Sequence, residues 1–582
     1  MSNADSWTAR KTRWMNHFHA HRATRARPPT GFCAQPEPRT IGTFGRGRQL
    51  LAGNFLFAGY LVQAPERGIW DLTAPGQGFD EEIHGFTWLD DLAAVGDYAA
   101  REQIQTWLRD WLARYASGRG PGWSPDLTGR RLIRWINHAQ LILSGQGQDM
   151  THAFQTSLAQ QTLFLSRRWS VASPGLPRFE ALTGLIYAGL VLEGMEEHVD
   201  PAITALAQEC EDQIDDHGGI LTRNPEELLD VFTLLNWAAS ALSEAGRRAS
   251  NPHLAAIERV APTLRSLRHA DGSLARFHGG GRGLEGRLDS ALASSGIKPG
   301  LAPFLSMGFA KLSAGRTTLI MDAASPPSGP MSWNAHASTL AFELTSGRRP
   351  LVVNCGSGVS FGADWRRAGR ATPSHSTLGL EDYSSSRLGP RTSVNGFQRE
   401  LLMDFPDDTR IESRQAVDGT GFVAGHNGYV STHGLTHVRQ IDLSADGRGI
   451  AGEDTLATIT KENEAQFDRA MARNGATGCA FTVRFHLHPD VDVALDLGGT
   501  AVSMALKSGE IWVFRHDGGA TLSLERSVFL EKGRLKPRAG KQVVLSGVAM
   551  DYATRIRWTL AKAQETPTTL RDLGPRDGAT AE

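Results

Sequence analysis

The sequence predicts a multidomain α+β protein, with a helical first half followed by antiparallel β-strands. Three observations lead to this prediction: the chain has 582 residues, its hydrophobic period changes near residue 315, and turn sequences recur at short intervals in the second half. This length exceeds what one hydrophobic core usually spans. We therefore expect at least two large domains, with helices and strands in separate layers.

A helical period dominates residues 50–270, and the stretch 101–116 shows it best. Its apolar residues fall at the i, i+3, i+4 spacing of one helix face, and they are Ile104, Trp107, Leu108, Trp111, Leu112 and Tyr115. Gly/Pro-rich breaks such as 173–177 separate the runs. The spacing indicates amphipathic helices joined by short loops. It does not distinguish between a bundle, a solenoid and a closed toroid.

The hydrophobic period becomes two after residue 315, as in the alternation of Leu340, Phe342 and Leu344. Such runs are typical of half-buried strands, and the turn sequences at 444–447 and 516–519 indicate antiparallel hairpins. We expect four segments along the chain: a basic N-terminal arm at 1–44, a helical domain at 45–310, a β-domain at 315–565 and a flexible tail at 566–582.

The overall charge is nearly balanced, with 61 Lys and Arg against 62 Asp and Glu. This balance argues against a general nucleic-acid binder, whose phosphate contacts need a basic excess. The four cysteines are scattered without the spacing of a metal site or a disulfide framework, so buried free thiols are expected. No apolar run approaches the ~20 residues of a membrane-spanning helix, so no membrane span is expected.

Residues 1–30 are rich in Arg and His and lack the apolar region of a secretory signal. The sequence therefore predicts a cytoplasmic protein. A periplasmic or secreted location stays open, because a signal could have been removed.

The most informative polar cluster lies where strands of the second half begin or end. It comprises 333–338, with Asn334 and His336, then 352–356, and then 372–377 with His375. Neutral imidazoles at such places can bind a metal, hydrogen-bond a glycan or transfer protons near neutral pH. Taken alone, each histidine is more often structural, and their joint pattern is what indicates a site.

These segments, in this order, resemble the β-sandwich of the heparinase II/III-like family. The matching stretches read "NAHASTLAFEL", "LVVNCGSG" and "WRRAGRATPSHSTLGL". In the helical half, "GRQLLAGNFLFAGY", "RRLIRWINHAQLIL", "HGGILTRNPEELLDVFTLL" and "LRHADGSLARFHGG" resemble successive segments of the family's toroid. The resemblance covers roughly residues 45–560.

The resemblance implies an (α/α) toroid followed by an antiparallel β-sandwich. It also implies a polysaccharide lyase of the alginate/heparin type, acting by β-elimination on an acidic polysaccharide or oligosaccharide that contains uronic acid. Whether the chain forms a homo-oligomer is left open.

For metals, the resemblance implies ligands at His336, Asn354 and His375. Asn354 stands where metal-containing relatives have Asp, and a neutral amide lacks the charge that binds Zn²⁺ well. No cofactor is required for elimination, and a weak divalent site, with zinc as the metal, is the hypothesis.

The usual catalytic positions depart from the family pattern. By register, Leu176 and Pro177 stand in place of an Asn-His pair, Glu227 in place of a Tyr, and Asn334 in place of a His. We therefore expect substitutes from elsewhere in the chain. The predicted catalytic residues are Tyr429, His336 and Arg178, and the predicted substrate-binding residues are Arg131, Arg134, Arg223, Asn334, His375 and Arg439.

Two alternatives to a lyase stay open at this point. Glu180, Glu226 and Glu227 could supply the paired carboxylates of a glycoside hydrolase. The chain could also be a non-catalytic glycan-binding protein with a degenerate lyase site. Product analysis separates these, because only a lyase leaves an unsaturated, ultraviolet-absorbing end.

Overall fold

A computed structural model describes residues 3–28, 31–34, 37–300, 304–394, 397–475 and 477–563. The expected flexible tail at 566–582 lies outside the described residues. Within these ranges, no helix is long and apolar enough to cross a membrane.

Helices form the first half, as predicted from the period of the sequence. They are α1 (Asn3–Thr24), α2 (Phe44–Leu51), α3 (Gln77–His84), α4 (Thr87–Val95), α5 (Tyr98–Tyr115), α6 (Pro125–Asn137), α7 (Ala139–Leu143), α8 (Gln148–Arg168), α9 (Leu176–Val191), α10 (Val199–Gln213), α11 (Pro225–Glu244), α12 (Asn251–Ser266) and α13 (Arg287–Ser294). Their apolar faces share one core, which fills the (α/α) toroid.

The expected basic arm at 1–44 contains a helix that packs on this toroid. Ala20 and Ala23 of α1 are buried in the toroid core. Asn16 accepts a 2.8 Å hydrogen bond from Nε of Arg168 on α8. Helix α1 is therefore part of the helical domain.

One hairpin interrupts the helical half, where the sequence analysis expected none. Its strands are β1 (Asn54–Phe57) and β2 (Tyr60–Gln63). Ala58 and Gly59 at its turn have positive φ angles of 47° and 81°, as a two-residue hairpin turn requires. A Cβ on Gly59 would lie 2.0 Å from Cα of Ser360, so only glycine lets this hairpin contact the β-domain.

The second half is an antiparallel β-sandwich with three short helices. Its elements are β3 (Leu305–Ser306), β4 (Phe309–Ala314), β5 (Thr317–Asp322), β6 (Phe342–Ser346), β7 (Arg349–Val353), α14 (Ala363–Gly369), β8 (Leu378–Leu380), β9 (Arg387–Val394), β10 (Phe397–Asp404), β11 (Thr409–Ala416), β12 (Gly419–Tyr429), α15 (Val430–His433), β13 (Leu435–Ser444), β14 (Gly449–Ala457), α16 (Lys461–Arg473), β15 (Cys479–Leu487), β16 (Asp492–Asp496), β17 (Ala501–Ala505), β18 (Ile511–His516), β19 (Thr521–Phe529), β20 (Arg538–Ala549) and β21 (Ala553–Lys562). Strands β3 and β4 precede residue 315, where the strand period of the sequence begins.

Two large sheets face each other across the sandwich core. One has the order β11-β12-β13-β14-β21-β18-β17-β16, and the other has the order β19-β20-β15-β7-β6-β5-β4-β3, with β8 paired to β15. Alternate residues such as Phe342, Phe485 and Trp558 fill the space between them, which is the arrangement expected of period-two strands.

A single core continues from the toroid into the first strands of the β-domain. Met307, Phe309 and Ile320 of the β-domain belong to the toroid's apolar cluster. Buried apolar contact of this kind holds two domains in one arrangement better than a polar interface does.

Arg223 is the polar counterpart of this contact. Its five guanidinium N–H groups donate to the carbonyls of Met307, Gly308, Ala324 and Ser325 and to Oδ1 of Asp322, at 2.6–3.1 Å. The residue has a left-handed backbone (φ 49°), a conformation that costs of order 1–3 kcal/mol and persists only where the surroundings fix it.

Asp322 is fully buried and receives hydrogen bonds from both halves of the chain. Oδ1 accepts from Arg223, Oδ2 accepts from Ser338 Oγ at 2.7 Å, and Nε2 of His278 lies 3.3 Å from Oδ2. Burial alone would raise the pKa of Asp322, but Arg223 and His278 outweigh it and hold the pKa well below its ordinary value. The carboxylate is therefore ionised wherever the protein is folded near neutral pH.

Asp322→Asn should destabilise the protein by about 3–5 kcal/mol, because it leaves the buried Arg223 without its counter-charge. Urea unfolding at pH 7 measures this, with the exposed Asp551→Asn as the control that should change little.

The ion pair between Arg223 and Asp322 should also make the free energy of unfolding depend on pH in the acidic range. Because the folded pKa is depressed, its contribution is complete above the unfolded pKa of ~3.9 and is lost as the pH falls further. Wild type should therefore lose stability more steeply than Asp322→Asn below that pH. Parallel acid profiles for the two proteins would contradict this assignment.

Candidate functional site

A cleft of about 890 Å³ lies between the toroid and one loop of the sandwich. Helices α3, α4, α6, α11 and α13 supply its walls, together with the β1–β2 turn and residues 281–284. The β19–β20 loop reaches over from the sandwich with Lys532, Gly533 and Arg534. The cleft is therefore built from both halves of the chain.

The start of α11 places Glu226 at the junction of the cleft and the loop. Asn224 caps the helix, its Oδ1 accepting hydrogen bonds from the backbone N–H groups of Glu226 and Glu227, and Pro225 occupies the first turn, where its missing N–H costs nothing. Oε2 of Glu226 accepts from the Gly281 backbone N–H at 2.8 Å and from Lys532 Nζ at 3.0 Å. Burial alone would raise the pKa of Glu226, but Lys532 and this N–H lower it.

A second wall of the cleft carries two arginine–carboxylate pairs. Arg130 binds Glu180 through two 2.7 Å hydrogen bonds, and Arg134 Nε donates to Oδ2 of Asp90 at 2.9 Å. Such pairs fix the guanidinium planes. The wall is therefore rigid, and its cations already have counter-charges.

Asp91, next to Asp90 on α4, has a different environment. Its Oδ1 accepts from the Thr43 backbone N–H at 2.8 Å, and Arg46 lies 3.8 Å away. Burial raises the pKa of Asp91 to about 6 in spite of these groups. A carboxyl with such a pKa can exchange a proton near neutral pH.

Glu82 on α3 also lines the cleft. Among the described residues it forms no hydrogen bond or ion pair, so its carboxylate oxygens can accept from a bound molecule. The cleft-lining part of the described chain contains six carboxylates and eight cationic side chains, and no histidine or tyrosine.

The prediction of Tyr429 as a cleft acid or base is contradicted by its position. The side chain is fully buried in the sandwich core, and its hydroxyl donates to the Leu378 carbonyl at 3.1 Å. Burial raises the pKa of Tyr429 well above its ordinary value. A hydroxyl that is enclosed by protein and already donates to the backbone does not reach a glycan.

Three predicted arginines also have structural positions away from the cleft. Arg178 pairs with Glu209 at 2.9 Å. Arg131 is buried, donates to Gln161 and stacks over Trp111. Arg439 pairs with the buried Asp454 inside the sandwich. Each guanidinium bonds to partners within its own domain. These arginines are therefore structural and do not line the cleft.

The structure does bring Arg223, His336 and His375 together at the domain junction. The His336 backbone N–H donates to Nδ1 of His278, whose Nε2 faces Asp322. All are buried. These residues therefore form the polar interior of the junction rather than a surface open to substrate.

The predicted metal ligands are arranged as a hydrogen-bonded pair. Nδ1 of His336 lies 3.0 Å from Nε2 of His375, whose Nδ1 lies 2.9 Å from the Ala371 carbonyl. Because that carbonyl can only accept, the proton of His375 lies on Nδ1 and His336 donates. Asn354 uses its Oδ1 to accept from the Ser376 backbone N–H.

This arrangement does not fit a three-ligand metal site. In the part of the chain that the structure describes, no group of three His, Cys, Asp or Glu side chains could hold a metal ion. Burial and the neighbouring cations lower the pKa of His336 well below its ordinary value. Because the pKa of His375 is also lowered by burial, the pair is neutral.

Of the predicted substrate-binding residues, Arg134 lines the cleft, and Asn334 lies at the seam of the two domains. Oδ1 of Asn334 is 3.4 Å from Arg366.

Glu227, which stands at the family's Tyr position, has its pKa raised to about 7 by burial and by Asp230. It does not line the cleft.

The acidic residues of α3 and α4 and the lysine of the β19–β20 loop were not predicted from the sequence. Asp90 and Asp91 interrupt an otherwise apolar run at 86–95, and this was a usable signal, because buried carboxylates are rare without a partner or a function. Lys532 lies in an ordinary polar turn, and nothing local distinguishes it.

This chain is similar in sequence to a known family model and to one curated protein. Residues 296–559 match the family model described as Heparinase II/III-like, C-terminal. FtsZ-localized protein C of Caulobacter vibrioides (strain NA1000 / CB15N) is 30% identical over 556 residues, covering 94% of this chain and 92% of that protein.

Solved structures share the fold at low sequence identity. Heparinase III has a TM-score of 0.68 at 13% identity, covering 93% of this chain and 88% of that chain. A heparan sulfate lyase from Pedobacter heparinus has a TM-score of 0.55 at 15% identity, covering 96% and 89%. Together with the toroid, the sandwich and the matching second half, these similarities identify the chain as a member of the heparinase II/III-like family.

Proposed function

We propose that the chain binds a uronic-acid-containing glycan in the cleft and cleaves it by β-elimination. The observation that carries this proposal is the cleft itself, which spans toroid and sandwich and is lined by both cationic and carboxylate side chains. Its lining also includes Trp237 and Leu284, whose apolar surfaces suit the face of a sugar ring. The family and fold support a lyase-like function of this kind.

Elimination has three requirements that the cleft residues can be matched to. A cation must neutralise the uronate carboxylate, a base must remove the C5 proton, and an acid must protonate O4 as the C4–O4 bond breaks and the C4=C5 double bond forms. We assign the first task to Arg134 and Lys532, which line the cleft and are held there by Asp90 and Glu226.

The proton transfers then fall to carboxyl groups. Glu82 is our candidate base, because it forms no hydrogen bond or ion pair among the described residues. Asp91 is our candidate acid, because burial raises its pKa to about 6 and it therefore retains a proton in a fraction of molecules near neutral pH. No step requires a metal or a redox cofactor.

A second candidate function is non-catalytic glycan binding at a location that depends on FtsZ. The Caulobacter relative is named FtsZ-localized protein C, and the two chains match over nearly their whole lengths. The cleft of the described chain also lacks the tyrosine and histidine that suit elimination. On this proposal the cleft recognises a glycan without breaking it.

Elimination predicts ultraviolet-absorbing products from at least one member of a panel of uronate polymers. Glu82→Gln keeps the shape of the side chain and removes the base, so turnover should fall roughly a hundredfold to ten-thousandfold with little change in KM. Tyr429→Phe is the matched control, and it should keep its activity. Full activity in Glu82→Gln, or its loss in Tyr429→Phe, would remove this assignment.

The non-catalytic alternative predicts a different outcome of the same panel. A uronate glycan should bind saturably without yielding unsaturated ends. A fluorescent fusion of the chain should co-localise with FtsZ and should lose that distribution when FtsZ is depleted. New reducing ends without ultraviolet absorbance would instead identify a hydrolase. A fusion whose distribution is diffuse and does not change when FtsZ is depleted would rule out the FtsZ-dependent role.

A further inference from the structure

A second cavity, which we call the seam pocket, lies where the loop after α12 meets the sandwich. Its volume is about 130 Å³, room for a few waters or one small polyatomic ion. The loop contributes His269 and Arg276, the β6–β7 hairpin contributes Thr345 and Arg349, and the ends of β15 and β19 close it. None of the residues assigned to the cleft chemistry lines this pocket.

A buried ion network fixes one wall of the seam pocket. Glu343 Oε2 lies 3.1 Å from Nε2 of His269 and accepts from the Arg276 backbone N–H at 3.0 Å, while Arg276 Nε lies 3.3 Å from Oε1. The Arg276 guanidinium stacks over the Phe529 ring at 4.4 Å. Burial alone would raise the pKa of Glu343, but Arg276 and His269 outweigh it and lower the pKa to about 2.

Within the described part of the chain, Oε1 of Glu343 accepts no hydrogen bond and has only its ion pair with Arg276. Two further buried polar groups that line the pocket have neither a hydrogen-bond nor an ion-pair partner among the described residues. They are Nδ1 of His269 and Oγ1 of Thr345, on side chains that are 4% and 3% exposed. Buried polar atoms are nearly always hydrogen-bonded, so an orphan of this kind points to a bound molecule. Both can donate to an oxyanion, the hydroxyl directly and the imidazole when protonated.

The charge around the pocket favours an anion. Four arginines line it, and two of its four carboxylates are neutralised from outside. Asp490 pairs with Arg538 and Lys507, and Glu531 pairs with Arg534. These outer cations offset the lining carboxylates and leave the guanidinium charge in excess, which disfavours a metal cation.

We propose that the seam pocket binds one small tetrahedral oxyanion, a phosphate or a sulfate. Arginine forks match the oxygens of such groups bidentately, and the hydroxyl of Thr345 completes the donors. The group can be a free ion or an ester carried by a glycan. In either form it binds residues of both domains, so it stabilises their junction.

Thr345→Val tests the proposal most cleanly. The change keeps the shape of the side chain and removes a hydroxyl that has no protein partner, so folding should be unaffected. Thr339→Val is the matched control, because Thr339 also carries a buried hydroxyl without a partner but does not line the pocket. Arg349→Gln removes a guanidinium from the same pocket.

Calorimetric titration of the full chain with sodium phosphate and sodium sulfate, against chloride at matched ionic strength, should give one saturable site. Thr345→Val and Arg349→Gln should each weaken it roughly tenfold, and Thr339→Val should leave it unchanged. A sulfated oligosaccharide titrated beside its desulfated form separates the ester from the free ion. The proposal would be overturned if phosphate and sulfate gave no more heat than chloride, or if Thr345→Val bound them with wild-type affinity. Neither result depends on whether the cleft cleaves a glycan.

Discussion

The ion pair between Arg223 and Asp322 is the constraint on which the rest of the structure depends. It joins the loop before α11 to the end of β5, and all five guanidinium N–H groups are used there. Because Asn224 follows directly and caps α11, the same residues that lock the domains also set the position of Glu226. The geometry of the cleft thus follows from a contact buried beneath it.

Charge pairing shapes what the cleft can recognise. Its arginines are fixed by carboxylates, so an anionic glycan must share or displace existing partners rather than fall into an unscreened basic groove. Such a cleft favours ligands that offer hydroxyl groups together with carboxylates. The β19–β20 loop borders both cavities, with Lys532 in the cleft and Glu531 in the seam pocket, and Arg282 lines both. The two cavities therefore share part of one wall.

The architecture was predictable because it follows from local periodicity. The change from a helical to a strand period placed the two halves, and the cluster at 333–377 indicated the junction, where His336 and His375 do meet. What the sequence could not supply was the direction in which polar side chains point. Tyr429 and Arg439 lie on sandwich strands, and whether such a residue faces solvent or core is decided by the opposite sheet, which is distant in sequence.

Arg134, Glu180 and Glu226 were named from the sequence and line the cleft, but their spatial partners could not be predicted, for the same reason. Lys532 and Glu226 are separated by 306 positions, and no local pattern relates them. Asp90 and Asp91 were the exception, because two acids inside an apolar helix are a signal readable without a structure. Substitution of the family's catalytic positions was visible from the residues, but their replacements could be assigned only once the cleft was built.

Hydrogen exchange of the full chain, with and without a bound uronate oligosaccharide, tests the central claim most directly. If the cleft is the glycan site, protection should appear in α3 and α4, at the start of α11 and in the β19–β20 loop, on both sides of the domain junction. Protection confined to the outer faces of the sandwich, with these segments unchanged at a saturating ligand concentration, would contradict the account.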